Sequence, residues 1–193
     1  MSTQVEKLFK DVGAILDGHF LLTSGLHSGT YLEKFRVLQY PDLTQKLCSM
    51  IAGHYSASGI QMVAGPTTGG IIIAFEVARQ LGVRSIFAER EGEARVFRRG
   101  FSIAPGETVL VVDDILTTGG SVREVIAEVK RNGAKVAGVA VLVDRSETEP
   151  DFGAPLFACH RMPISAYKPA ECPLCSKGIP LVKPGTGVTK PKS

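Results

Sequence analysis

The sequence predicts an α/β fold in which a central parallel sheet is flanked by helices. Three observations carry this. Short β-branched runs alternate with helical stretches, as in parallel strands joined by crossover helices. One run, residues 108–112, holds three valines and a leucine, the composition of a strand buried on both faces. The length, 193 residues with 44% apolar and 21% charged side chains, suits one domain whose core needs neither disulfides nor metal.

The elements follow in order. Val5, Leu8, Phe9, Val12, Ile15 and Leu16 keep helical spacing, which predicts a helix over 5–16 with Gly18 just past its end. A second helix is expected after Pro41, with Leu43, Leu47, Met50 and Ile51 on one face. Residues 61–64 form a short apolar run stopped by Gly65 and Pro66. A helix over 71–81, strands over 84–88 and 108–112, a helix over 122–131 closed by Asn132 and Gly133, and a strand over 135–143 complete the pattern. Open parallel sheets bind ligands at the carboxyl ends of strands, so the residues after Ala64, Ala88, Val112 and Val143 are the places to search. No internal repeat is present, and the Lys-, Pro-, Gly- and Thr-rich tail over 183–193 reads as mobile.

Composition narrows the function. A net charge of +3 is too small to argue for nucleic acid. No stretch reaches the roughly 20 apolar residues of a membrane span. Residues 1–11 are charged and amphipathic and lack the apolar centre of a signal peptide, so a cytoplasmic protein with reduced thiols is expected. Of the four cysteines, Cys172 and Cys175 form a C-x-x-C. The pair reads either as a tight turn carrying two thiols, or as half a zinc site for which Cys159 and His160 offer the remaining ligands.

The chemistry concentrates after residues 108–112. Asp113 and Asp114 come first, then Ile115 and Leu116, then Thr117, Thr118, Gly119, Gly120 and Ser121, and a helix starts at once. Glycines let backbone N–H groups turn toward an anion, hydroxyls add donors, and a helix N-terminus adds partial positive charge. The G-x-x-x-x-G-K-[ST] pattern of a nucleoside-triphosphate loop is missing. Two acids beside a phosphate cradle repel the phosphate unless they hold something else, and ribose hydroxyls or a magnesium-bound sugar fit that need. A receiver-domain acid pair is the competing assignment, but there the acids sit near the N-terminus without a Thr-Thr-Gly-Gly run; a plain strand–turn–helix connection is the other.

This segment resembles the signature of the type I phosphoribosyltransferase family, whose members use phosphoribosyl pyrophosphate (PRPP). The resemblance covers nearly the whole chain. It runs through Gly18-His19-Phe20-Leu21-Leu22-Thr23-Ser24-Gly25 with Ser28 and Tyr31, then Gly65-Pro66-Thr67-Thr68-Gly69-Gly70, Phe87-Ala88-Glu89-Arg90 and Val143-Asp144-Arg145. The first and last resemble the branch that takes orotate. The resemblance implies a single domain over 1–193, with a small hood built from about 1–40 and 155–182.

Residue by residue, it implies that Asp113 and Asp114 hold the ribose and, with Arg90, are catalytic. Ile115, Leu116, Thr117, Thr118, Gly119, Gly120 and Ser121 would hold PRPP, with Thr68 and Gly69 in a pyrophosphate loop. Magnesium would be carried by PRPP rather than by a protein site of its own. Thr117, Arg145, Tyr31 and Leu32 would contact orotate, Arg145 as a guanidinium facing an anion. Residues 90–99 match a mobile loop that enters the partner's site in a homodimer; read without the resemblance, they are a charged hairpin. Thr23, Gly69 and Glu91 stand where the family has lysines, leaving Arg90, Arg95, Arg98 and Arg99 to supply positive charge. The implied reaction joins orotate to the phosphoribosyl group with loss of pyrophosphate. A purine or other base is the nearest alternative, and a PRPP-sensing regulator that binds nucleic acid is the alternative of another class, against which the lack of a DNA-binding element argues.

Overall fold

The computed structural model describes residues 2–22 and 24–184. Thr23 and residues 185–193 of the expected tail lie outside the described residues.

The elements are α1 (Ser2–Asp11), β1 (Ile15–Leu21), β2 (His27–Leu32), α2 (Phe35–Leu38), α3 (Pro41–Tyr55), β3 (Met62–Pro66), α4 (Gly69–Leu81), β4 (Arg84–Glu91), β5 (Ala94–Phe97), β6 (Thr108–Leu116), α5 (Gly120–Arg131), β7 (Lys135–Asp144), β8 (Leu156–Arg161), β9 (Ala166–Tyr167), a 3-10 turn (Pro169–Glu171) and α6 (Pro173–Ser176). Six strands form one sheet in the order β5-β4-β3-β6-β7-β8, parallel except for the edge strand β5. From β3 the chain builds outward through β4, then returns to place β6 on the other side of β3. The carboxyl ends of β3 and β6 thus flank the topological switch point, where open α/β sheets bind ligands.

Both faces of the sheet are buried, and the residues alternate between them. Val63, Leu110, Val112, Ala140 and Leu142 pack on the side of α1, α3 and α4. Met62, Ala64, Val109, Val111, Val139 and Val141 pack on the side of α5. This two-sided burial is why the strands read as continuous apolar runs.

Two elements depart from the sequence pattern. The first helix stops at Asp11, Gly13 turns the chain at φ +64°, and Ile15, Leu16 and Gly18 belong to β1. Ile15 pairs with Leu32 and Leu16 with Tyr31, so tertiary pairing outweighs the helical spacing. Strand β6 runs past Val112 through both acids, because Asp113, Ile115 and Leu116 keep their partners on β7.

The second sheet is small, in the order β1-β2-β9, and Val182 adds a bridge to Phe20. It draws on both ends of the chain. Of the stretch 155–182, β8 joins the large sheet and only the part from β9 onward joins the small one. Residue Leu32, placed in the base pocket by resemblance, is 3% exposed and packs in the main core instead. Cys159 and His160 are not partners of the C-x-x-C. The Cys159 thiol donates to the Leu47 carbonyl at 3.4 Å and burial pushes its pKa up to about 12, while His160 lies near enough to Glu6 of α1 to feel its charge.

Candidate active site

Three connections meet at the switch point. After β3 the chain turns through Thr67 and Thr68, whose shared peptide is cis, into α4. After β6 it turns through Thr117–Gly119 into α5, with Gly119 at φ +78°, a conformation glycine adopts without penalty. A Cβ on Gly119 would also stand 2.8 Å from the Phe152 ring, so the residue is fixed by space as well as by dihedral. Arg123 steadies the same turn, donating from Nη1 to the Thr118 carbonyl at 2.6 Å while its guanidinium lies over Phe152. The third connection, after β7, carries Arg145.

A cavity of about 260 Å³ opens above the α5 N-terminus. It is lined by Asp113, Ile115, Leu116, Thr117, Thr118, Gly119, Gly120 and Ser121, with Arg90 and Glu124 at its side. Free N–H groups at a helix start and the neighbouring hydroxyls make it an anion cradle.

The two acids sit beside it in different surroundings. Asp113 accepts from the Asp114 N–H at 2.8 Å, and its pKa is pushed up to about 7, first by burial and then by the charge of Asp114. Asp114 Oδ1 accepts from the Ile115 N–H at 2.6 Å. Its Oδ2 forms an ion pair with Lys34 at 2.7 Å but has no aligned hydrogen-bond donor. A buried carboxylate oxygen left in this state has capacity for a ligand hydroxyl.

Arg95 ties the turns together. It is 8% exposed and donates to Thr67 Oγ1 at 3.0 Å, to the Ala88 carbonyl at 3.4 Å and to Ser121 Oγ at 3.3 Å. Arg90 and Arg95 both pair with Glu124, at 3.1 and 3.2 Å. Residues 84–97 therefore form an antiparallel hairpin whose inner arginines face this chain's own anion cradle. Arg98 and Arg99 point elsewhere, paired with Glu91 and Glu89.

A second cavity, of about 750 Å³, adjoins the first and shares Thr117 and Thr118 with it. Leu21, Leu22, Leu26 and Ile164 make it largely apolar, and Tyr31 and Arg145 stand in its wall. Arg145 is aimed by its neighbours. Its backbone N–H donates to the Leu116 carbonyl at 2.8 Å, and Asp144 closes the turn by accepting from the N–H and hydroxyl of Ser146 at 2.8 and 2.5 Å. Burial lowers the Arg145 pKa, and among the described residues its Nε has no hydrogen-bond partner. A buried guanidinium nitrogen without an acceptor among the described residues leaves the group able to bind an anionic or carbonyl-bearing ligand.

The expected residues Asp113, Ile115–Ser121 and Arg90 converge on one cavity and Tyr31 and Arg145 on the next, while Gly69 lies against Asp114 and Thr68 precedes it at the start of α4. Lys34, Arg95, Glu124, Arg123 and Phe152 complete the arrangement. Arg95 was visible only as one arginine in a basic stretch, and the others carry no motif that would single them out.

A sequence-family model described as phosphoribosyl transferase domain matches residues 36–162. An orotate phosphoribosyltransferase of Pelotomaculum thermopropionicum is 51% identical over 183 residues, 95% of this chain and 96% of that protein. One of Chlorobaculum parvum is 51% identical over 93% of each chain. Among solved structures, an orotate phosphoribosyltransferase from Aeropyrum pernix superposes with a TM-score of 0.69 at 27% identity, covering 82% of this chain and 93% of that one. An adenine phosphoribosyltransferase from Rhodothermus marinus, at TM-score 0.67 and 20% identity over 84% of this chain and all of its own, shares the fold.

Proposed function

The chain belongs to the phosphoribosyl transferase family, and from that premise we infer that it moves the phosphoribosyl group of PRPP onto orotate. The products are orotidine 5′-monophosphate and pyrophosphate, a step of pyrimidine biosynthesis. It is an enzyme, a pentosyltransferase. The observation that carries the base assignment is the Arg145 chamber: a largely apolar cavity with the Arg145 guanidinium in its wall, its Nε without a partner among the described residues, joined to the phosphate cradle through Thr117 and Thr118.

The residue roles belong to the same proposal. Thr117 to Ser121 hold the 5′-phosphate, with Ile115 and Leu116 beside them against PRPP, and Asp113 and Asp114 accept hydrogen bonds from the ribose hydroxyls. Thr68, Gly69 and the α4 N-terminus receive the pyrophosphate. Arg90 and Arg95 supply positive charge beside the leaving group, with Arg95 holding Thr67 and Ser121 in register. Thr117, Tyr31 and Arg145 hold orotate. The ring nitrogen of orotate forms the bond to the anomeric carbon as the bond to pyrophosphate breaks. The proton of that nitrogen leaves to the departing pyrophosphate or to solvent, and the group of orotate that arrives ionised is its carboxylate, so the chain's work is mainly positioning and charge stabilisation.

Magnesium fits this donor set as a passenger of PRPP. Hard carboxylate and hydroxyl oxygens suit it, and two carboxylates are too few for an all-protein cage, the usual situation for magnesium on phosphates. When bound, it would neutralise the pyrophosphate.

A homodimer belongs to this reading too, with the action in trans expected of residues 90–99 narrowed to Arg98 and Arg99. Support comes from large exposed apolar side chains, Phe35 on α2 with Ile72 and Phe75 on α4, and from Arg98 and Arg99, which face away from this chain's own cradle. The hood is best taken as β1, β2, β9 and the turns through α6, over the single domain. Among the described residues no helix is long and apolar enough to cross a membrane; a cytoplasmic location is part of this proposal. The test is turnover of labelled PRPP with magnesium and a panel of bases. Orotate alone should be consumed; release of pyrophosphate with adenine or guanine but not orotate would overturn the assignment.

A further inference from the structure

The C-x-x-C motif has no part in the chemistry above, yet the fold brings two histidines to it. His19 on β1, His27 on β2, Cys172 before α6 and Cys175 within α6 present ligand atoms that all lie within 4.8 Å of one another. His19 Nε2 is 3.0 Å from His27 Nδ1, 3.4 Å from Cys172 Sγ and 3.7 Å from Cys175 Sγ, and Cys175 Sγ is 3.3 Å from His27 Nδ1. Tetrahedral zinc with Zn–N of about 2.05 Å and Zn–S of about 2.3 Å requires ligand–ligand edges of about 3.3–3.8 Å. The four distances fall on or near those edges.

Hydrogen bonding alone does not account for the cluster. His19 Nδ1 lies 2.7 Å from the Ile179 carbonyl, which can only accept, so Nδ1 carries the proton and Nε2 presents one lone pair. Three groups converge on that lone pair, whereas hydrogen bonding would satisfy it with one donor. A cation among the four atoms reverses the demand, since each then offers a lone pair to the centre. The Ile179 contact is also the outer hydrogen bond that fixes the tautomer and orientation of a metal-bound histidine. His19, His27 and Cys172 are buried, and Cys175 closes the solvent side.

We propose that His19, His27, Cys172 and Cys175 form a structural Cys2His2 site for zinc. Four protein ligands leave no open position, so the site holds structure and does no chemistry. Binding converts two thiols to thiolates and releases two protons to solvent. None of the four lines either cavity, but all stand on segments that shape the larger one. His19 precedes Leu21 and Leu22, and His27 precedes Tyr31 on its strand. Val182, paired through its N–H to the His19 carbonyl, precedes Lys183 in the cavity wall. The small sheet needs such a clamp, because β9 has two residues and the link from the C-terminal segment to β1 is a single bridge.

The test is elemental analysis of the full-length protein after zinc loading and desalting, with cobalt substitution as a second measurement. One zinc per chain is expected in the unmodified protein and in Cys159→Ser, and less than a tenth of that in Cys172→Ser/Cys175→Ser and in His27→Ala. Cobalt-loaded protein should show thiolate-to-cobalt charge transfer together with the intense visible bands of tetrahedral cobalt. Zinc absent from the unmodified protein, equal zinc in the protein and its ligand variants, or an octahedral cobalt spectrum without charge transfer would each overturn the site. The cobalt spectrum of the unmodified protein decides the matter where the variants do not fold. A further expectation is that chelation lowers Tm and raises KM for orotate more than that for PRPP.

Discussion

Gly69 and Asp114 share one space: a Cβ added to Gly69 would collide with the Asp114 carboxylate. Gly70 is nearly as confined, since a Cβ there would stand 2.7 Å from Pro66 Cδ and 3.3 Å from Asp113 Oδ1. The α4 N-terminus therefore packs directly beneath the acid pair, and the position where relatives were expected to carry lysine has no room for a side chain. The positive charge beside Asp114 comes instead from Lys34.

Gly69→Ala must move either Asp114 or the start of α4. Overpacking of this kind costs about 1–3 kcal/mol, and the expected outcome is a lower Tm with a raised KM for PRPP. Gly53→Ala is the control. Gly53 lies within α3 with nothing near its would-be Cβ, so it should raise stability by about 0.5–1 kcal/mol and leave turnover alone. Thermal melts and initial rates on the three proteins read both effects. Unchanged PRPP kinetics in a folded Gly69→Ala would separate α4 from the PRPP site.

Asp113 makes activity and stability pull in opposite directions. Its pKa rises from 3.8 unfolded to about 7 folded, so between those values the native chain holds a proton that the unfolded chain has lost. Stability from this group therefore falls as pH rises from about 4 to about 7. Asp113→Asn removes the penalty. The Tm of the variant should gain on that of the parent as pH rises through this window, while turnover falls by about 10- to 100-fold with the loss of a charged hydrogen bond. A Tm difference independent of pH would show that Asp113 is already ionised in the native state.

The sequence exposed the parts of the fold that are set locally and hid the parts set by distant contact. Residues 108–112 and 135–143 were readable as strands because both faces of each are buried, and the acid pair and its cradle were readable because they are contiguous. The end of α1 was misplaced because Ile15 and Leu16 keep helical spacing while their pairing partners lie on β2. The resemblance of the segment Ser28 to Leu32 points to both Tyr31 and Leu32 for the base pocket, but adjacent residues of a strand face opposite ways, and of the two Tyr31 lines the cavity while Leu32 packs in the core. The companions of Cys172 and Cys175 lay about 150 positions away. Sequence proximity favoured Cys159 and His160, and only the fold of the small sheet brings His19 and His27 across.

The hairpin over residues 84–97 yields a test of action in trans. Arg90 and Arg95 pair with Glu124 beside their own chain's cradle, whereas Arg98 and Arg99 pair with Glu91 and Glu89, which makes the latter two the arginines to test for action on a partner. A variant with Arg98→Ala and Arg99→Ala, mixed with Asp114→Asn under conditions that exchange subunits, should recover activity in hybrids that hold one intact half-site. Up to about a quarter of the parent rate is the statistical expectation when half the dimers are hybrids with one working site. No recovery in verified hybrids would confine the hairpin to its own subunit.

Arg145 gives the sharpest test of substrate. Its Nε has no partner among the described residues, and its guanidinium stands in the wall of a cavity shared with leucines and Tyr31. Orotate differs from uracil by a carboxylate, and a site built to pair that charge rejects a base lacking it, since the guanidinium is then left buried and unpaired. Arg145→Ala should raise KM for orotate by about 10- to 100-fold, the equivalent of a charge-assisted hydrogen bond of about 1.5–3 kcal/mol, and should leave KM for PRPP nearly unchanged. The fold should survive, because the bonds that shape this turn are made by the Arg145 backbone, Asp144 and Ser146 rather than by the guanidinium. Equal weakening of both substrates would mean that Arg145 supports the cradle through Thr117. An unchanged KM for orotate would move the carboxylate to another cation of the same cavity, Arg123 being the first to substitute next.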